Sequence, residues 1–393
     1  MIIRKAFPLL ARHLSKKQIT VITGLRRVGK STALNYLLDQ VPHTNKLYLD
    51  FERIENRALF NEDSYKTIER GLEFLGLDLS NSPVLALDEI QLVPNSTSVI
   101  KSLYDSFDIK ILATGSSSFY LKNHFSESLA GRKQIFELWP LDFEEYLLFN
   151  DADIRKLKDA SLIDFHQVFY EYYNHHYEHY IKYGGFPEVA LTHDPEDKIN
   201  YLKDILNSYI ELDIKLLSDF SASDGLYKLI KLLANRVGSR VDYSKIAAIT
   251  GLNRHKVKEY INLLEYTYFI RLVKPFTSGI DKEVSKQAKI YFTDNGLLNI
   301  TGTLSSGAIF ENAICGQLSL RGDLNFFEKS SGTEIDFILD RQTAFEVKET
   351  CTASDLKTLE ARAAMVDLKN YRLIGRYPPL SGFRNFIWGG SIY

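Results

Sequence analysis

The sequence predicts an α/β protein. A parallel sheet covered by helices comes first. A helical connector, a helix-turn-helix with a following strand, and a C-terminal αβββαβ segment come after it. Three observations carry this reading. Five short apolar runs alternate with helical segments over residues 1–150. A glycine-rich loop joins the first run to a helix. Beyond residue 305, helix-period and strand-period stretches follow one another in the order αβββαβ.

The apolar runs cover 19–23, 46–51, 84–87, 110–113 and 134–138. The first leads into Gly24-Leu25-Arg26-Arg27-Val28-Gly29-Lys30-Ser31-Thr32, which fits G-x-x-x-x-G-K-[ST], a loop that wraps the phosphates of a nucleoside triphosphate. Gly24 and Gly29 let the backbone turn so that N–H groups face phosphate oxygens. Lys30 supplies a positive charge for the β- and γ-phosphates, the Ser31 hydroxyl suits Mg²⁺, and Thr32 opens a helix over 32–39 whose Leu34, Leu37 and Leu38 share a face. The loop thus sits at a helix N-terminus, where the helix dipole favours an anion. ATP and Mg²⁺ are the expected cofactors.

The third run ends in Asp88-Glu89, 58 residues after Lys30. Two carboxylates at a buried strand end complete a phosphate loop: Asp88 would hold Mg²⁺ through water, and Glu89 would orient the attacking water. A capping pair at a helix start is the alternative. The fourth run ends in Thr114-Gly115-Ser116-Ser117-Ser118, and Thr114 or Ser116 is expected to touch the γ-phosphate or the water. For Ser117 and Ser118 a simple turn competes with that role. Arg132 precedes the fifth run and could stabilise transition-state charge in its own site or a neighbour's; a surface ion pair is the alternative. Arg26 and Arg27 could face solvent, nucleotide or a partner.

Composition narrows the class. The chain has 393 residues, is 45% hydrophobic and 25% charged, and carries a net charge of −2, so it is no globally basic nucleic-acid coat. Residues 226–286 hold 12 Lys or Arg against 5 Asp or Glu, a local +7 that leaves −9 for the rest. Such an excess suits an anion-seeking face or a solvated surface. Cys315 and Cys351 make no disulfide framework and fit a reducing compartment. Residues 1–17 lack a signal-peptide apolar core, and no run approaches 18 apolar residues, so a cytoplasmic protein with no membrane role is expected.

The phosphate loop, Leu87-Asp88-Glu89-Ile90-Gln91, Ala113-Thr114-Gly115-Ser116-Ser117, Leu129-Ala130-Gly131-Arg132 and Pro140-Leu141-Asp142-Phe143-Glu144-Glu145-Tyr146 together resemble one family. It is the prokaryotic AAA-type ATPases that carry a C-terminal domain of long-unassigned function. The resemblance implies an arginine-finger role for Arg132, and with it a possible homo-oligomer. The expected domains are 1–150 ATPase, 151–235 helical lid or connector, 236–290 winged helix-turn-helix and 305–393 C-terminal domain.

In the lid, His175 and His179 share a helix face, but no H-E-x-x-H order is present, and a solvated aromatic helix is the expectation. Tyr183-Gly184-Gly185-Phe186-Pro187-Glu188 reads as a break between helices, followed by a long helix over 201–217. Helices over 242–249 and 254–265 flank the turn Thr250-Gly251-Leu252-Asn253, and a strand over 269–275 follows, the order of a winged helix-turn-helix. Arg254, His255, Lys256 and Lys258 open the second helix, which points to DNA contact; protein packing or a lid role is the alternative.

At the C-terminus, a helix over 308–321, strands over 325–328, 334–339 and 344–348, a helix over 353–367 and a strand over 371–375 resemble the core of the P-D-(D/E)-x-K nuclease superfamily. Asp336 lies on the second strand; Glu346 and Lys348 are two apart on the third and point to one face. Asp336 and Glu346 would hold Mg²⁺, Lys348 would favour the hydroxide nucleophile, and Glu311 could add a carboxylate. Glu334 is peripheral. A solvated Glu–Lys pair is the alternative. The expectation is therefore a Mg·ATP-hydrolysing ATPase coupled to nucleic-acid binding and metal-dependent DNA cleavage. Its rival is a nucleotide-controlled switch or scaffold with an inactive, nuclease-like docking domain. Small-molecule phosphoryl transfer lacks an acceptor-site signature.

Overall fold

The computed structural model describes residues 1–116, 129–154, 165–214, 223–277, 287–329, 332–379, 382 and 384–392. The chain divides into two compact units. The first is built mainly from Met1–Trp139, and the second from Pro140–Ile210, Phe220–Glu265 and Phe269–Tyr393.

The first unit is a five-stranded sheet in the order β2-β3-β4-β1-β5. Its strands are β1 (Ile19–Thr23), β2 (Lys46–Asp50), β3 (Val84–Asp88), β4 (Lys110–Gly115) and β5 (Lys133–Glu137). Every pairing is parallel, with Val21 opposite both Ala113 and Ile135. The expected runs thus form strands, each within two residues of its expected ends. Burial explains the pattern: β1 and β3 are buried at every position, because a strand covered on both faces needs a continuous apolar run. The edge strands β2 and β5 are only partly buried. Ile19, Val21, Leu85, Leu87, Ile111 and Ala113 meet in the core with Phe51, Phe60 and Leu103. Burying each larger aliphatic or aromatic side chain contributes roughly 1.5–3 kcal/mol.

Two consequences position the site. All five strands point the same way, so the loops after β1, β3 and β4 gather at one sheet edge. And β4 lies between β1 and β3, so the end of β4 bridges the phosphate loop and the acidic pair.

The second unit contains a seven-stranded mixed sheet in the order β12-β11-β10-β9-β8-β6-β7. The strands are β6 (Ile270–Pro275), β7 (Lys289–Phe292), β8 (Leu324–Glu328), β9 (Glu334–Leu339), β10 (Thr343–Lys348), β11 (Asn370–Gly375) and β12 (Phe386–Trp388). The αβββαβ order is present, with helices Ser306–Ser319 and Ala353–Ala364. β8, β9 and β10 are antiparallel neighbours, while β11 joins β10 in parallel. The sheet also extends further than the sequence suggests. β6 pairs in parallel with β8 through Lys274↔Asn325 and Pro275↔Phe326, so segments 236–290 and 305–393 contribute strands to one sheet.

Upstream, Tyr243–Thr250 is capped by Asp242, whose carboxylate accepts the Ser244 and Lys245 N–H groups, and it ends at Gly251 in the left-handed region. The Arg254–Tyr266 helix buries Val257, Ile261, Leu263 and Leu264, and β6 and β7 form an antiparallel pair after it. One expectation changes. The helix expected over 201–217 starts earlier, at Pro195, where Asp194 caps it and Pro fits the first turn. It gives way at Tyr209–Ile214 to a π-helical turn, and 215–217 lie outside the described residues.

Candidate active site

The loop between β1 and the Lys30–Asp39 helix takes its shape from buried anchors. Leu25 and Val28 turn inward, fully buried. The Arg4 guanidinium donates to the Val28 carbonyl (3.0 Å) and to the Trp139 carbonyl (3.0 Å), tying the loop to the chain after β5. Gly29 has φ 97°, a left-handed conformation that a side chain disfavours. Gly24 is required for space: a Cβ there would sit 2.1 Å from the Leu138 carbonyl oxygen. Lys30 is 4% exposed, and its ammonium donates to the carbonyls of Gly24 (3.2 Å) and Leu25 (3.0 Å) while lying 3.8 Å from Glu89 Oε1. Ser31 and Thr32 are exposed on the first turn of the helix.

Asp88 and Glu89 are both buried at the end of β3. The Thr114 hydroxyl, from the end of β4, donates to Asp88 Oδ1, and the Tyr48 hydroxyl, from β2, donates to Asp88 Oδ2 (2.7 Å). Burial, then the hydrogen bond to Asp88, pushes the Tyr48 phenol pKa up, which keeps it a donor. Glu89 adopts φ 56° and ψ 50°, left-handed for a non-glycine residue, and its N–H donates to Thr114 Oγ1 (3.0 Å). That turn costs on the order of 1–3 kcal/mol and swings the carboxylate toward Lys30. The Gln91 amide donates to Glu89 Oε2 and to Ser116 Oγ (3.0 Å), while Gln91 Oε1 is buried with no hydrogen-bond partner. Lys30, Asp88, Glu89, Thr114 and Ser116 are therefore brought together. Ser117 and Ser118 lie outside the described residues.

Tyr48, Gln91 and Arg4 were missed from sequence. Tyr48 is a polar-tipped aromatic on an edge strand, and Gln91 lies two residues past Glu89; both carried a faint signal. Arg4 carried none, because its contacts are 24 and 135 residues away.

Arg132 stands apart from these groups. Its backbone carbonyl accepts the Ile19 N–H at the start of β1, whereas the loop leaves the end of that strand, about 13 Å away along four ~3.3 Å steps. Its guanidinium pairs with Asp105 at 3.0 and 3.4 Å, half exposed. Arg26 pairs with Glu52 (3.2 Å), and Arg27 is exposed.

In the second unit, β9 and β10 pair as far as Phe337↔Phe345. Beyond that the Asp336 carboxylate accepts the Val347 N–H (2.8 Å). Burial first, then the Glu346 and Glu311 charges, raise the Asp336 pKa. Glu346 is 6% exposed; Arg362 reaches both its oxygens at 3.1 Å, and Lys348 lies 3.0 Å from one. Glu311 accepts the Tyr291 hydroxyl (2.7 Å), and burial raises its pKa. Lys289 was also missed from sequence. It is buried on β7 and ion-paired with Glu334. Burial works against its charge, but Glu311, Glu334 and Asp336 outweigh burial and raise its pKa. Asp336, Glu346, Lys348 and Glu311 thus lie within electrostatic reach of one another. Among the described residues, however, no three His, Cys, Asp or Glu side chains converge as a metal-ligating group.

Elsewhere, Arg254, His255 and Lys258 are exposed on their helix, and Lys256 pairs with Glu259 (3.1 Å). The His175 and His179 rings lie 4.5 Å apart, centroid to centroid. Cys315 and Cys351 are buried free thiols. Among the described residues no helix is long and apolar enough to cross a membrane.

A parallel sheet with β4 between β1 and β3, a glycine-rich loop after β1 and an acidic strand end give this unit the form of a P-loop ATPase-like domain. Residues 16–147 match the model of a family described as an AAA domain, and residues 174–306 match that of a domain of unknown function. An uncharacterized protein of Methanocaldococcus jannaschii, MJ1544, is 29% identical over 379 residues, covering 91% of this chain and 81% of that protein. An uncharacterized protein of Haemophilus influenzae is 29% identical over 364 residues, covering 86% and 85%. Among solved structures, the RuvB Holliday junction branch migration motor of Thermotoga maritima aligns distantly, with a TM-score of 0.34, 16% identity and coverage of 72% of this chain and 93% of that one. Residues 16–147 are thus similar to an AAA domain, and their parallel sheet, loop and acidic strand end have the form of a P-loop ATPase-like domain.

Proposed function

We propose that this protein binds and hydrolyses Mg·ATP, and that its nucleotide state controls engagement of nucleic acid by the second unit. The observation that carries the first part is the gathering of Lys30, Asp88, Glu89, Thr114 and Ser116 at one edge of the parallel sheet. The residues fit the nucleotide. The backbone approaches at Gly24 as only glycine allows, Gly29 turns left-handed into a helix N-terminus, and Lys30 stands at that turn. Ser31 and Asp88 would hold Mg²⁺, which when bound offsets charge on the phosphate oxygens. Lys30 binds the phosphates. Thr114 and Tyr48 orient the Asp88 carboxylate. Glu89 accepts a proton from the attacking water, with Gln91 and Ser116 fixing its direction. Arg132 stands at the far end of β1, so a finger role for it would be exercised in a neighbouring copy.

For the second unit, the reading is metal-dependent nucleic-acid cleavage by Asp336, Glu346 and Lys348, with Glu311 beside them. The support is positional: Asp336 on β9 is held by the Val347 N–H beside Glu346 and Lys348 on the neighbouring β10. Arg362 Nη1, which donates to both Glu346 oxygens, favours a second reading, in which Arg362 takes the cation's role and the domain docks without cutting. Calorimetry with ATP and Mg²⁺ tests the first part: heat from wild type, absent in Lys30→Ala, is expected, and no heat from folded wild type overturns it. A Mg²⁺ or Mn²⁺ digestion assay with Asp336→Asn and Lys348→Ala decides between the two readings of the second unit.

A further inference from the structure

The first unit takes in a short segment from far down the chain, Tyr266–Tyr268. This segment closes the Arg254–Tyr266 helix. The Phe269 N–H donates to the Leu264 carbonyl (2.9 Å), and Tyr268 just before it has φ 64°. That is the helix stop at which glycine is the usual residue, because the left-handed region disfavours a side chain. A bulky aromatic there is an outlier, and an outlier persists where its surroundings hold it. Tyr268 is 4% exposed. Its hydroxyl donates to Glu137 Oε1 (3.1 Å), and its ring meets the Trp139 ring edge to face, centroids 5.0 Å apart.

The same three residues, 137–139, carry the phosphate loop. The Leu138 N–H donates to the Thr23 carbonyl (2.7 Å), and the Leu138 carbonyl oxygen lies against Gly24. The Trp139 carbonyl accepts one arm of the Arg4 fork, and the Val28 carbonyl inside the loop accepts the other, each at 3.0 Å. Arg4 is 5% exposed, and nearby Phe7 stacks on Tyr36 of the Lys30–Asp39 helix (4.8 Å). A planar guanidinium with two fixed arms transmits position where a flexible ammonium would not.

We propose that Tyr268 is a positioning residue for nucleotide binding: through Trp139 and Arg4 it sets the phosphate loop that receives the triphosphate. The inference rests on the Mg·ATP reading above and adds to it a residue far from the loop in sequence. Holding the Val28 carbonyl fixes the direction of the neighbouring N–H groups, which are the loop's phosphate donors. The contacts that orient Asp88 and Glu89 through Thr114 are made elsewhere, so binding should change more than chemistry.

The test is calorimetry of full-length protein with ATP and Mg²⁺, joined to steady-state hydrolysis and thermal melting. The variants are Tyr268→Gly, Tyr268→Phe, Arg4→Gln, and Tyr268→Gly combined with Arg4→Gln. Glycine is at ease at φ 64°, so Tyr268→Gly should melt within a few degrees of wild type or above it. It should bind ATP about 2- to 30-fold more weakly, the range for residues that act on a site through a packed path. KM for ATP should rise by the same factor while kcat stays within about twofold. Tyr268→Phe keeps the ring on Trp139 and should recover most of the affinity. The combined variant should bind about as the weaker single variant does, because both changes break one path. Wild-type affinity in Tyr268→Gly overturns the proposal. So do losses that multiply in the combined variant, and so does a joint fall in melting temperature and kcat, which assigns Tyr268 to packing. In each of these cases the Mg·ATP reading stands as long as wild type gives heat; no heat from folded wild type removes both.

Discussion

Asp294 offers a prediction whose size follows from the structure. Its carboxylate is 3% exposed and accepts the N–H groups of Gly185 (2.7 Å) and Leu297 (3.0 Å), pinning the Tyr183–Gly185 break to the start of the Asn295–Thr301 helix. Burial raises its pKa from 3.8 to about 6, against the opposing pull of those backbone hydrogen bonds. At 1.36 kcal/mol per pH unit, the gap corresponds to about 3 kcal/mol. The sign follows from linkage. Below pH 3.8 the group is neutral in both states; from there to about 6 the unfolded chain ionises first, so stability falls as pH rises through that window and stays lower above it.

Asp294→Asn removes the ionisation and disturbs one N–H acceptor, a pH-independent cost of about 1–3 kcal/mol. Wild type should therefore lose about 2.4 kcal/mol relative to Asp294→Asn between pH 4 and pH 7. The assay is urea unfolding followed through Trp388 in a Trp139→Phe background, since these are the two tryptophans and Trp388 belongs to the unit that contains Asp294. A difference that stays flat across the window, or that moves in favour of wild type as pH rises, refutes the reasoning.

Three further outcomes follow from the candidate sites. Glu89→Gln should keep nucleotide binding while steady-state hydrolysis falls about 10²–10⁴-fold, the usual worth of a positioned general base. Gly24→Ala should abolish nucleotide heat and lower the melting temperature, because its Cβ would meet the Leu138 carbonyl at 2.1 Å; nucleotide binding at wild-type strength would show that the loop shifts freely. Tyr48→Phe removes one donor to Asp88 and should change the Mg²⁺ concentration needed for half-maximal hydrolysis while leaving the melting temperature within a few degrees; an unchanged Mg²⁺ requirement assigns Tyr48 to packing alone.

The local chemistry of this protein was legible in one dimension. A phosphate loop is a contiguous backbone device, so nine consecutive residues specify it. Strands buried on both faces must be continuously apolar, so β1, β3 and β4 announce themselves, as do the two-residue spacing of Glu346 and Lys348 and the C-terminal element order. The tertiary structure decided what depends on contacts between distant segments. It placed β4 between β1 and β3, so that Thr114 reaches Asp88, and added Tyr48, Gln91 and Arg4 around the loop. It set Arg132 against Asp105 at the opposite strand end, joined β6 to β8 in one sheet, and brought Lys289 and Arg362 to carboxylates 45 and 16 residues away. Periodicity reports which face of an element is buried, but strand order and side-chain partners are chosen by packing, which no local pattern encodes.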